Sequence, residues 1–294
     1  MKDSFTFVKD YKHNKLLRAS FNNLASSTFG LNFETWFEHG YWSHKYIPYS
    51  FTNENKVIAN ASVNIIDVVI DNEIKKAVQI GTVMTDPTYR NQGLARMLME
   101  IILEDYKDVD FFYLFANSNV LDFYPKFGFE LHQETQYSMK FNGNSKNDSG
   151  VKQLSGQDKE DLTFIYHFSS KGKIVSNFFA TKDTNELLMF YCMYVFPENI
   201  FYIPQEDLII LCEIKDNTLH IFDVISEQPY NLIELAKYVA NENTNHIVLN
   251  FTPIGDTTEF TMTPYHDSNP LFVKLNHPNI RLPKHFKHPI TSQA

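Results

Sequence analysis

"TDPTYRNQGLARMLMEIILEDY", residues 85–106, decides how the chain is read. Asp86 and Pro87 begin it as a turn. From Gly93 onward Leu94, Met97, Leu98, Ile101 and Ile102 recur at helical spacing and define one apolar face. A helix that opens on glycine exposes backbone N–H groups with no partner inside the helix. With the helix dipole they form an anion site, and the missing Cβ lets a bulky phosphate come close. The same pattern suits an ordinary tight helix start, so the neighbouring elements have to decide between the two.

Upstream, "YIPYSF" (46–51), "KVIANASVNIIDVVI" (56–70) and "IKKAVQIGTVMT" (74–85) are rich in β-branched residues. Separated by "TNEN" and "DNE", they predict consecutive antiparallel strands. Residues 13–29 predict a helix through Leu16, Leu17, Phe21 and Leu24, and a short helix follows Asn32. Downstream, "FFYLFAN" (111–117) reads as a buried strand. "NVLDFYPKFGFE" (119–130) reads as a helix broken by Pro125 and Gly128, and "HQETQYSMKF" (132–141) as a strand. The Gly93 pattern thus falls where a strand ends, a proline turn follows and an amphipathic helix starts. An anion cradle needs that setting.

Composition narrows the class. Of 294 residues 43% are hydrophobic and 21% charged, which fits a folded globular chain long enough for two domains. A net charge of −9 argues against general nucleic-acid binding and would suit a cationic substrate, although mild acidity also serves solubility. Cys192 and Cys212 stand alone, without CxxC, which argues against a disulfide scaffold or thiolate zinc site and for a reducing compartment. The first fifteen residues hold no apolar signal core, and the longest apolar run, 187–196, is too short for a spanning helix. A cytoplasmic location, no membrane and no nucleic-acid partner are expected.

"NGNSKNDSG" (142–150) is the best linker in the chain. After it, helices near 158–168 and 185–196 lead into three strands, "NIFYI", "DLIILCEIK" and "TLHIFDVI". A helix, "NLIELAKYVAN", and a buried strand, "HIVLNF", follow. This order partly repeats that of the first half.

Two motifs, in this order and at this distance, resemble the GCN5-related N-acetyltransferase superfamily: "VMTDPTYRNQGLA" for a pyrophosphate loop with its preceding strand, and "FYPKFGF" near the thiol. The resemblance covers about residues 10–141. It implies an α/β protein with a mixed sheet, the acyl-CoA N-acyltransferase fold, built as two tandem acetyltransferase-like domains. The division is a catalytic domain at 1–141, a linker at 142–150 and a degenerate domain at 151–294.

What the resemblance implies for the site follows position by position. Val83, Met84 and Thr85 pair with the pantetheine arm of acetyl-CoA. The stretch Arg90, Asn91, Gln92, Gly93, Leu94, Ala95 and Arg96 holds the pyrophosphate, with Arg90 adding charge or bracing the loop. Asn117 contacts the cofactor, or only caps a helix. Tyr124 protonates the leaving thiolate, a role its pKa of about 10 allows. A backbone N–H, that of Met84, polarises the thioester carbonyl. Histone-modifying relatives carry a glutamate on the strand before the loop, and here that strand has no carboxylate. Glu34, Glu38 and Asp67 are candidate substitutes acting through water, and solvent is the alternative.

Several features have plainer readings. Trp36, Phe37, Tyr41 and Trp42 lie in the segment that walls the acceptor pocket in such enzymes, but serve equally as packing. His277, His285 and His288 lack a helix or neighbouring carboxylates to organise a metal site, so no metal is expected. The second half's counterpart of the Gly93 loop, "DVISEQPYNLIELAKYVA", has no glycine at its helix mouth. Similar tandem proteins include aminoglycoside acetyltransferases of the enhanced-intracellular-survival type, although this chain shows no third, sterol-carrier-like domain. The function expected is transfer of acetyl from acetyl-CoA to a primary amine of a small molecule, by direct attack in a ternary complex. An acyl-CoA-binding regulatory protein without catalysis and a protein or peptide N-acetyltransferase are the alternatives. Self-association is left open.

Overall fold

The computed structural model describes residues 5–142, 150–172 and 176–294. Most of the linker expected at 142–150 lies outside the described residues. The first half forms β1 (Thr6–Lys9), α1 (Lys15–Phe29), α2 (Glu34–Glu38), β2 (Tyr46–Asn53), β3 (Lys56–Ile70) and β4 (Glu73–Thr85). It continues with α3 (Leu94–Asp105), β5 (Phe111–Phe115), β6 (Glu130–His132) and β7 (Thr135–Lys140). The second half forms β8 (Lys152–Leu154), α4 (Lys159–Ser169), β9 (Phe179–Lys182), α5 (Asn185–Tyr194), β10 (Ile200–Ile203) and β11 (Leu208–Lys215). It ends with β12 (Thr218–Ser226), α6 (Leu232–Val239), β13 (His246–Leu249), β14 (Thr261–Pro264) and β15 (Leu271–Leu275).

Local chemistry sets these boundaries. Asn14 caps α1, accepting from the amides of Leu16 and Leu17, and Gly30 ends it in the left-handed region. The β3–β4 connection is two residues, Asp71 and Asn72, both at positive φ, which turns the strands as a tight hairpin. Asp216 and Asn217 repeat this device between β11 and β12. On α3 the buried side chains are Leu94, Leu98, Met99 and Ile102, and each contributes about 1.5–3 kcal/mol by leaving water.

The strands make two mixed sheets. The first runs β1-β2-β3-β4-β5-β15-β6, with β9 continuing the β2 edge of β3. The second runs β14-β7-β13-β12-β11-β10-β8. Each contains one parallel pair joined over a helix: β4 with β5 through α3, and β12 with β13 through α6. Beside each parallel pair lies a strand from the other half of the chain. β15 runs antiparallel to β5, and β7 antiparallel to β13. The sheets therefore do not coincide with the sequence halves, and the halves interlock.

Two expectations change. Residues 119–130 form no α-helix. They make two 3₁₀ turns, Ser118–Val120 and Tyr124–Phe127, because Pro125 cannot donate and Gly128 turns the chain at φ 83°. The segment 132–141 is not one strand. It breaks at Gln133 and Glu134, so that β6 stays in the first sheet while β7 crosses to the second.

Candidate active site

The site begins where β4 leaves β5. The two strands pair only at Ala77–Phe111, Val78–Phe112 and Gln79–Tyr113. Beyond Gln79, β4 continues to Thr85 along β3 alone, and a bulge opposite Asn60–Ser62 bends it, with Thr82 at φ 50°. Two contacts hold the bend. The Tyr46 hydroxyl meets Thr82 Oγ1 at 2.9 Å, and Asn60 Nδ2 donates to the Thr82 carbonyl at 2.9 Å. Val83, Met84 and Thr85 thus lie on a stretch whose β5-side edge has no strand partner among the described residues.

The loop to α3 is braced from within. Asp86 accepts from the Thr88 amide and hydroxyl and pairs with Lys56 at 2.6 Å, and these partners hold its carboxyl at about 2. Arg90 Nε reaches the Thr85 carbonyl at 3.4 Å. Asn91 and Gly93 adopt positive φ, 63° and 79°. A Cβ added to Gly93 would meet nothing within 4 Å, so open space lies before the helix. The first bond within α3 is Met97 N to Gly93 O at 3.0 Å, and no side chain caps the mouth. The amides of Leu94, Ala95 and Arg96 are consequently not used by the helix. Asn91, Gln92 and Arg96 are exposed around it. The guanidinium of Arg96 lies 5.4 Å from the Phe127 ring centroid, which ties the helix mouth to the Tyr124–Phe127 turn.

Tyr124 is 5% exposed and packs with Phe123, Phe129 and Phe272 in the apolar cluster that includes Leu94, Leu98 and Leu114. Among the described residues its hydroxyl has no hydrogen-bond partner. Burial pushes its pKa up to about 12. Asn117 is exposed at the end of β5, where its Oδ1 accepts from the Asn119 amide at 3.0 Å. It caps the turn and keeps its Nδ2 donor.

The candidate bases are occupied elsewhere or sit on the surface. Glu34 takes two hydrogen bonds from Arg18 and one from Asn22. Asp67 pairs with Lys76, far along the hairpin from Thr85. Glu38 is exposed. Trp36, Tyr41 and Trp42 are buried, and Trp36 Nε1 donates to the Glu186 carbonyl at 2.8 Å, so this cluster joins α2 to α5 as core.

The tail is woven into the fold. Phe286, Lys287 and His288 are buried, and Lys287 Nζ pairs with Glu134 at 3.1 Å. The three tail histidines have different surroundings. His285 meets Thr135, His288 packs on Tyr113 and Phe115, and His277 lies in an exposed turn. Among the described residues no group of three or more His, Cys, Asp or Glu could hold a metal ion.

One contact escapes the sequence reading. Ala294 lies against Gly81, one residue before the bend in β4. Ser292 Oγ accepts from Thr181 Oγ1 at 2.8 Å, and the Thr291 hydroxyl donates to Asp223. The tail therefore borders the splay of β4 from β5. Gly81 was the available signal: a glycine inside a β-branched strand marks a close backbone approach. On the same face as Gly81, Asn64, Gln79 and Tyr113 are direct cross-strand neighbours. Asn64 Nδ2, both Gln79 amide atoms and the Tyr113 hydroxyl are buried there without partners among the described residues.

A strand that parts from its parallel neighbour, followed by an uncapped helix mouth, defines an acyltransferase-type fold. Residues 12–132 match the family described as "Acetyltransferase (GNAT) domain". This stretch is a GNAT acetyltransferase domain, and acyl transfer from acyl-CoA is the chemistry that goes with it. The fold extends over nearly the whole chain. It is similar to a conserved protein of Enterococcus faecalis V583 described as "Probable N-Acyltransferase", with a TM-score of 0.61 and 15% identity, covering 93% of this chain and 73% of that one. It is also similar to a GCN5-related N-acetyltransferase of Anabaena variabilis ATCC 29413, at 0.58 and 13%, with coverage of 93% and 73%. A third, from Kribbella flavida, gives 0.57 and 14%, with 93% and 72%. At such identities the likeness is one of fold. Among the described residues no helix is long and apolar enough to cross a membrane.

Proposed function

We propose that this protein transfers acetyl from acetyl-CoA to a primary amine of a small molecule, by direct attack in a ternary complex in the cytoplasm. The observation that carries the reading is the uncapped mouth of α3 at Gly93, set directly after a β4 edge that β5 has left free.

In this reading Val83, Met84 and Thr85 pair with the pantetheine arm, and amides from Gln92 to Arg96 hold the pyrophosphate. Arg90 fixes the loop, and Asn117 offers its free Nδ2 to the cofactor. The amine nitrogen attacks the thioester carbon while the Met84 N–H polarises the carbonyl oxygen. The C–S bond breaks, Tyr124 gives its proton to the departing thiolate, and the proton shed by the nitrogen as the amide forms restores the Tyr124 hydroxyl through solvent. A hydroxyl held near 12 stays protonated until that moment. With Glu34 and Asp67 held in ion pairs, solvent takes the proton of the incoming ammonium.

The chemistry belongs to the first unit, 1–141, and the second, 151–294, is its degenerate counterpart across the linker at 142–150. Support comes from α6, where Asn231 Oδ1 accepts from the Ile233 and Glu234 amides and closes the mouth to an anion. Measuring CoA thiol release against a panel of amines tests the proposal. Amine-dependent release with an N-acetylated product supports it. Binding of acetyl-CoA without release above hydrolysis leaves only a regulatory acyl-CoA binder, and activity confined to peptides transfers the role to a protein-modifying enzyme.

A further inference from the structure

A cavity of about 480 Å³ is flanked by β9 of the first sheet and β12 of the second. Each sheet brings to it one charged side chain that has no ion-pair partner among the described residues. From β12 comes Asp223, whose carboxylate accepts from the Val224 amide at 2.8 Å and from the Thr291 hydroxyl, both neutral donors. A carboxylate withdrawn from water without a cation is costly, and burial raises the Asp223 pKa accordingly. From β9 comes Lys182, half-buried at the end of the strand. Its cross-strand neighbour Asp67 is already paired with Lys76 at 2.7 Å. Although both line one cavity, Asp223 and Lys182 do not pair with each other.

The wall beside Lys182 is the start of α5. Thr184 makes no side-chain cap there, and the first bond within the helix is Leu188 N to Thr184 O at 3.0 Å. The amides of Asn185, Glu186 and Leu187 are therefore not used by the helix, and its dipole adds to the positive side of the cavity. Neither nearby acid neutralises that side. Asp183 is exposed at the edge, and Glu186 is held by Lys45 at 3.5 Å.

We propose that this cavity binds a free amino acid, with its ammonium group on Asp223 and its carboxylate on Lys182 and the α5 mouth. A ligand carrying both charges gives each wall its partner. A simple amine would leave Lys182 unpaired, and a simple carboxylic acid would leave Asp223 so. The occupant is distinct from the acyl acceptor. Lys182 stands opposite Asp67 on β3, whereas Gly81 at the splay stands opposite Ser62. Those two β3 residues lie roughly 16 Å apart along the strand. Binding here is thus independent of acetyl transfer.

Calorimetry on the full chain without acetyl-CoA tests this with 2-aminobutanoate, 4-aminobutanoate, butylamine and butanoate, which share one chain length. At least one amino acid should bind about tenfold or more tightly than either single-charge probe. Preference for one isomer over the other supports the site and reports the separation of its two charges. Lys182→Met should remove most of the advantage over butylamine, and Asp223→Asn most of the advantage over butanoate. The lysine variant, at a half-buried strand end, keeps the test valid if Asp223→Asn misfolds. No amino-acid binding, binding no tighter than that of the single-charge probes, or an advantage that neither variant changes overturns the proposal.

Discussion

Gly81 and Ala294 pack so closely that a Cβ on Gly81 would lie 2.7 Å from both the carbonyl carbon and the oxygen of Ala294. Neither backbone can yield without moving the tail or the bend in β4. Gly81→Val should cost about 1–3 kcal/mol of stability through overpacking. Its larger effect should fall on turnover, reduced about tenfold or more, because the displaced tail borders the splay at which transfer is proposed. Acetyl-CoA affinity should stay within about threefold, since the cradle at Gly93 is untouched. Calorimetric titration beside initial rates separates the two effects.

Gly93 has a different reason to be glycine. Its φ of 79° costs an ordinary residue about 1–2 kcal/mol, while the space before it is open. Gly93→Ala should therefore lower stability by about that amount and weaken acetyl-CoA only modestly. Gly93→Glu adds a carboxylate at the cradle and should weaken acetyl-CoA by about a hundredfold or more. Unchanged affinity in the glutamate variant would show that the pyrophosphate binds elsewhere.

Tyr124→Phe should separate chemistry from folding. The hydroxyl has no protein partner among the described residues, so stability should change by less than about 1 kcal/mol. As the acid for the thiolate, its loss should reduce kcat about a hundredfold or more. Because burial holds Tyr124 at about 12, it stays protonated across the working range. The rate should rise with pH as the acceptor loses its proton, and should not turn down below about pH 10. A descending limb near neutrality that Tyr124→Phe abolishes would contradict the assignment.

The buried pair Glu134–Lys287 locks the tail beneath β6 and β7. Burial raises the Glu134 pKa and lowers that of Lys287. Lys287→Met should cost about 3–5 kcal/mol by stranding the carboxylate. In that variant the folded chain keeps a proton on Glu134 that the unfolded chain releases. Its stability should therefore fall as pH rises above the ordinary carboxylate range. The double variant Glu134→Gln, Lys287→Met should recover much of the loss. Denaturant unfolding at several pH values reads both effects.

The first half of the fold was legible because its signals are long and periodic. β3 and β4 are fifteen and thirteen residues of β-branched sequence, and α3 has a clean apolar stripe. β1, β8, β9, β14 and β15 were not expected, since three to five residues carry too little pattern to be distinguished from loop. The exchange of β7 and β15 between sheets was beyond a local reading, because pairing of Val273 with Tyr113 joins residues 160 positions apart. At the site, Gly93 and "FYPKFGF" could be read in order, whereas the contact of Ala294 with Gly81 depends on where a distant tail folds back. Glu34 looked available until its bonds to Arg18 and Asn22 were seen.

A crystal structure of the protein with bound CoA tests the central claim most directly. The account predicts the pyrophosphate within hydrogen-bond reach of the Gly93–Arg96 amides, the pantetheine arm along Val83–Thr85, and the sulfur beside the Tyr124 hydroxyl. CoA bound away from the α3 mouth, or with its sulfur remote from Tyr124, would contradict it.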